Sequence, residues 1–254
     1  AYPTLLFINS SGEVVYRLVG AEDALELLKK VKLGVESGGL SGLKKRYEAG
    51  DRDLAFISGY INALSAANRE QEAGQVAADF LQGREQKMLE DEDYFLVFYY
   101  YVHDVNSSAF QYVVNHQKEI ADKFPRQGAS LDRRLLEDWI AGSYAYLKVD
   151  ESNHCTFDEQ GLDAYVAKMK QMNVAEADMI GESLRLSRDG IMKQWDSFVK
   201  RGDKILASHT ILGDEGHLLQ WVNWLNKECA DMSYVVSLTK EDDDGAFMIQ
   251  REEN

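Results

Sequence analysis

The stretch YPTLLFINSSGEVVYRLVGAEDALELLKK, Tyr2–Lys30, changes its hydrophobic period as it runs. Residues 4–9, TLLFIN, are almost wholly apolar, the pattern of a strand covered on both faces. Ser10, Ser11, Gly12 and Glu13 have the composition of a tight turn, and Val14 to Val19 read as a second strand, so the two should form a hairpin. Gly20 closes it. From Ala21 to Leu33 the apolar positions Ala24, Leu25, Leu27, Leu28 and Val31 fall near helical spacing, which predicts one helix laid across one face of the hairpin.

Outward from this segment the pattern changes. Val35 to Gly42 carries three glycines and two serines, which punctuates the chain and suggests two domains, 1–36 and 37–254. Beyond it the only proline is Pro125. Apolar periodicity predicts helices over 51–68, 70–81, 91–103, 107–124, 131–148, 158–172, 175–187, 191–205 and 215–229. Asp51, Ser107 and Asp158 stand where N-caps are expected. The fold class that follows is mainly α: a β-hairpin and helix, then an array of α-helical hairpins. Helix pairs of about 30 to 40 residues are of tetratricopeptide length, although Trp139 and Tyr146 keep only the first part of that repeat's spacing. Near the end, SYVVSLT and AFMIQ should pair across the acidic turn that begins at Lys240.

Charge narrows the function. With 28 Lys and Arg against 43 Asp and Glu, the net of −15 disfavours nucleic acid and anionic membranes, whose binding needs cations. No run approaches the ~20 apolar residues of a membrane helix, so no membrane insertion is expected. Cys155 and Cys229 fit no metal-ligand spacing and read as two separate buried thiols, with pairing as the alternative. Order through most of the chain is expected from the 45% apolar content.

Tyr2-Pro3-Thr4-Leu5-Leu6-Phe7, the Gly12-Glu13-Val14 turn, Leu18-Val19-Gly20-Ala21 and the amphipathic helix after them resemble the second half of a thioredoxin domain. The resemblance covers about residues 2 to 33. It implies that Pro3 is a cis-proline and that Tyr2, Pro3 and Thr4 border a substrate-binding surface, where backbone groups meet an extended peptide. No CxxC occurs in the sequence, so the chain itself should lack dithiol chemistry and carry no catalytic residues; any thiol–disulfide oxidoreductase activity would belong to a longer parent. On this reading the chain, which starts without Met, is a C-terminal fragment of a thioredoxin-like protein. Its first strand would then lose a neighbour, and the edge at residues 4–9 should pair with a second copy of the chain or dock against its own helices. Ser107 to Val113, followed by Phe124-Pro125, also resembles the helical extensions of thioredoxin-like proteins in bacterial envelopes. That implies a periplasmic or secreted location and a protein- or peptide-binding role for the helices. A non-redox helical-repeat interaction module is the alternative.

Other chemistry finds little support in the residues. In the Lys240–Gly245 acidic turn, placing Gly245 at the sixth position of a calcium loop puts Lys240 and Arg251 where acids are required. His103, His116, His154, His209 and His217 fall at no zinc spacing, and His154-Cys155 are sequence neighbours whose side chains diverge. Neither a metal nor a cofactor is expected. The run Tyr94 to Tyr101 is too aromatic for a solvent face: it reads as a central buried helix or as one wall of a tyrosine-lined groove. Trp221 and Trp224 share a helix face and read as core. Gly59, Gly74 and Gly142 suggest close helix packing.

Overall fold

The structure, a computed structural model, describes residues 4–8, 14–19, 24, 25, 28, 31, 32, 38–152, 154–207, 220, 221, 223, 224, 227, 236–240 and 247–251. The chain is mainly α. It divides into two compact units, Ala1–Asp132 and Arg133–Asn254.

The first unit opens with β1 (Thr4–Ile8) and β2 (Val14–Val19), antiparallel from Thr4↔Val19 to Phe7↔Tyr16, with a bulge before Ile8. Ala24, Leu25, Leu28, Val31 and Lys32 are helical. Burial corrects one expectation. Leu5, Leu6 and Ile8 are 41%, 53% and 58% exposed, and Leu25 and Leu28 are 63% and 50% exposed. Leu5 and Leu6 point to opposite faces of β1 and both are exposed, so among the described residues the apolar run is not covered on both faces.

Helices α1 (Gly39–Glu48), α2 (Leu54–Ala66), α3 (Glu70–Leu81), α4 (Lys87–Glu90), α5 (Glu92–Tyr101), α6 (Ser108–Asn115), α7 (Gln117–Lys123) and α8 (Pro125–Gly128) follow, and α9 (Leu131–Ser143) begins in this unit. The expected linker holds the start of α1, because Gly38 and Gly39 at φ 72° and 74° turn the chain into it. Asp53, not Asp51, caps α2: its carboxylate accepts the Ala55 and Phe56 amides, while Asp51 is drawn away to Arg46. Ser107 and Asp91 cap α6 and α5. The helix expected over 107–124 breaks at His116. There the ring Nδ1 lies 2.8 Å from the Tyr112 carbonyl, and the imidazole stacks on Tyr112 at 4.0 Å.

Packing follows the aromatic positions. Helix α3 lies between α2 and α5 and also meets α6. Phe80 stacks on Tyr94 at 5.3 Å, and Phe95 reaches Phe98 at 6.2 Å and Phe124 at 5.3 Å. Gly74 lets α3 approach closely, since a Cβ there would lie 2.9 Å from the Tyr101 carbonyl oxygen.

The second unit carries the rest of α9, a 3-10 turn (Tyr144–Tyr146), β3 (Leu147–Val149) and β4 (Cys155–Phe157). The helix expected to Lys148 therefore stops at Ser143 and gives way to a hairpin whose turn is held by Asp150, accepting the Ser152 and His154 amides. Helices α10 (Glu159–Gln171), α11 (Ala177–Ile191) and α12 (Trp195–Ala207) follow, Asp158 capping the first. Residues 220, 221, 223, 224 and 227 are helical, and β5 (Val236–Lys240) pairs with β6 (Phe247–Arg251) as expected.

One device joins helices in both units. After α2, α10 and α11, the residues Asn68, Asn173 and Lys193 adopt positive φ of 57°, 58° and 55°. In each case the next amide reaches back to a carbonyl near the helix end: Arg69 to Leu64, Val174 to Met169 and Gln194 to Asp189. Such left-handed caps stop a helix and reverse the chain, which is how this sequence builds hairpins without proline.

Candidate functional site

In the first unit an open groove of about 1010 Å³ lies between α2 and α5. Sequence explains why these helices leave a gap. Beside Leu54 and the buried Phe56, α2 lines it with Ala55, Ser58, Gly59 and Asn62, all small or short, whereas α5 contributes Leu96, Val97, Tyr100 and Tyr101. Side chains of that size on α2 cannot fill the space beside a row of large ones.

Each end has its own chemistry. At one end the Tyr101 hydroxyl donates to Asn62 Oδ1 at 2.6 Å, tying the two helix C-termini together and setting the helices parallel. Burial pushes the Tyr101 phenol up from its ordinary value, with Glu70 and Tyr100 adding to the shift, so it stays a donor at neutral pH. At the other end lie Asp53, Asp93 and Arg46. Arg46 is fixed in place: its guanidinium meets Asp51 at 2.6 Å and sits 4.2 Å over the Phe56 ring. Between the ends, Tyr100 stands 56% exposed. Its ring meets Tyr99 edge-on at 5.2 Å and Tyr101 at 6.5 Å.

The groove offers an apolar shelf, an aromatic side chain and carboxylates, and its Tyr101 hydroxyl is taken up by Asn62. Among the described residues no group of three His, Cys, Asp or Glu side chains is placed to hold a metal ion.

The residues singled out in the sequence are distributed unevenly. Tyr2 and Pro3 lie outside the described residues, and Thr4 begins β1 opposite Val19. Of the aromatic run, Tyr94 packs on Phe80 and the Tyr99 hydroxyl bonds Ser130 at 2.7 Å, which leaves Leu96, Val97, Tyr100 and Tyr101 on the groove. Gly59 lines the groove, while Gly74 is the close contact between helices. The α2 wall went unpredicted. Its only signal is the recurrence of small residues at helical spacing. Cys155 is a free, half-buried thiol whose pKa burial pushes up, partly opposed by Arg188; Cys229 lies outside the described residues.

In the second unit the charged groups form a closed structural ring. Arg188 and Arg201 both bind Asp189, Arg201 and Arg185 share Glu182, and Arg185 and Arg188 share Glu159, with contacts of 2.6 to 3.2 Å. It links α10, α11 and α12, and its arginines are all engaged.

Comparison with protein-family models, with curated proteins and with solved structures returned no match to this chain.

Proposed function

We propose that the chain is a protein-binding module in which the α2–α5 groove of the first unit takes an extended polypeptide segment. The observation that carries this reading is the groove itself, with small residues of α2 on one side and, on the other, the exposed Tyr100 beside half-buried Leu96 and Tyr101. Helices α2, α3 and α5 alternate as in a helical-hairpin array, with the first helix of successive pairs lining the concavity. Panning random dodecapeptides on phage against the wild-type chain and an Ala55→Trp variant tests it. Ala55 is exposed on the groove wall, so tryptophan there blocks the groove without entering the core. Enrichment on the wild type that Ala55→Trp abolishes is expected; enrichment indifferent to this change overturns the proposal.

The hairpin carries a second, compatible reading. The antiparallel β1–β2 pair followed by helical residues, with apolar side chains exposed on both strand and helix, is what the later part of a thioredoxin-like domain offers to its remaining layers. We infer on that basis a thioredoxin-like parent whose redox dithiol lies outside this chain, and the resemblance of Ser107 to Val113 and Phe124-Pro125 to bacterial-envelope extensions motivates a periplasmic or secreted assignment. If instead a second copy covers the strand, β1 pairs with its twin and the chain is a homodimer. Sedimentation of wild type and Leu6→Glu separates these: a dimer abolished by the substitution favours the twin, and a monomer in both rules it out.

A further inference from the structure

We propose that the groove selects segments in which a basic side chain and an aromatic one are three residues apart. This rests on the groove being a peptide site, and it adds the chemistry of the occupant.

Charge at the mouth comes first. Parallel helices bring Asp53 and Asp93, at the N-termini of α2 and α5, to one end of the groove. Asp53 Oδ1 is taken by the Ala55 and Phe56 amides, and among the described residues neither carboxylate has an ion-pair partner. Arg46 does not cancel them, because Asp51 neutralises it at 2.6 Å and Phe56 holds it flat. Two helix N-termini contribute partial charges of roughly +0.5 each. Against two carboxylates this leaves about one negative charge facing the groove, within a chain whose net charge is −15. Such a mouth attracts a lysine or arginine and repels an acidic residue.

Distance fixes the spacing. Asp93 and Tyr100 are two turns apart on α5, about 10.5 Å along the axis. A polyproline-type segment advances about 3.1 Å per residue and returns to the same side every third residue, so positions i and i+3 are about 9.3 Å apart. A basic residue over Asp93 therefore sets residue i+3 over Tyr100, which is exposed and can meet an aromatic ring, while the half-buried Leu96 lies beneath the two residues between.

Fluorescence anisotropy tests this with the intact chain and four labelled peptides. Two present Arg-Pro-Pro-Phe and its reverse, Phe-Pro-Pro-Arg, between glycine pairs; the others replace Arg by Glu or Phe by Ala. We expect one of the first two to bind, and the Glu and Ala forms each to bind about tenfold or more weakly. Asp93→Asn should narrow the gap between the Arg and Glu peptides several-fold without changing the far-ultraviolet circular dichroism, and Tyr100→Ala should remove the gap between Phe and Ala. Equal binding of the Arg and Glu peptides, still blocked by Ala55→Trp, overturns the proposed chemistry and leaves the groove as a peptide site. No binding by any peptide at millimolar concentration overturns both.

Discussion

Removing the Asp189 carboxylate should destabilise the second unit far more than removing any exposed acid. Asp189 is 0% exposed and accepts from Arg188 Nε and Nη2 at 2.9 and 2.6 Å and from Arg201 Nε at 3.0 Å. Breaking a buried ion pair from one side costs about 3–5 kcal/mol, because the partner charge keeps its desolvation penalty and loses its compensation. Arg188 retains Glu159 at 2.8 Å and Arg201 retains Glu182 at 2.6 Å, so Asp189→Ala belongs at the lower end, about 3 kcal/mol. Tryptophan fluorescence reads this unit alone, since Trp139, Trp195, Trp221 and Trp224 all follow Arg133. With a urea dependence of roughly 1–3 kcal/mol per molar, the unfolding midpoint should fall by about 1–3 M. Arg133→Ala is the control: its pair with Glu137 spans 2.9 Å but is 73% and 60% exposed, worth well under about 1 kcal/mol. A loss for Asp189→Ala no larger than the control's would refute the view that the ring holds α11 and α12 together.

Four further outcomes follow from local geometry. Asp53→Ala removes the acceptor for two α2 amides and should cost about 1 kcal/mol, seen as faster hydrogen exchange in the first turn of α2. Gly74→Val, whose Cβ would meet the Tyr101 carbonyl at 2.9 Å, should destabilise the first unit by about 1–3 kcal/mol in a thermal melt. Burial opposes ionisation of Glu159, yet Arg185 and then Arg188 outweigh it and hold the carboxyl below its ordinary range. The unfolded chain then takes up that proton first. Stability is present above the usual glutamate value of ~4.3 and is lost as pH falls through the lower folded value, and Glu159→Gln should flatten this acid limb in urea titrations. Cys155, its pKa raised by burial, should alkylate with iodoacetamide more slowly in the folded chain than in urea, as read by mass spectrometry.

Local rules account for much of the fold. Helix α3 matches its expected span because Ala73, Val76, Ala77 and Phe80 recur at helical spacing. Ser107 and Asp158 cap as expected because an N-cap needs only its own next few amides. The misses arise where distant contacts decide. Gly38 and Gly39 read as a linker, yet Gly39 is buried as α1 begins. Leu147 and Lys148 fall inside the expected helix over 131–148, because a three-residue strand is specified by its partner, Cys155 to Phe157, and by α11 beside it. The groove was half legible: the aromatic run announced one wall, but nothing local says that Ala55, Ser58, Gly59 and Asn62 stand opposite. β1 shows the reverse case, an apolar pattern that promises cover on both faces and stands exposed among the described residues.

The groove is tested most directly by titrating the Arg-Pro-Pro-Phe peptide and its reverse into the isotope-labelled chain and mapping the amide shifts. The account predicts saturable changes at Ala55, Ser58, Gly59 and Asn62 on α2 and at Asp93, Leu96 and Tyr100 on α5. Shifts confined to the second unit, or none at saturating peptide, would contradict it.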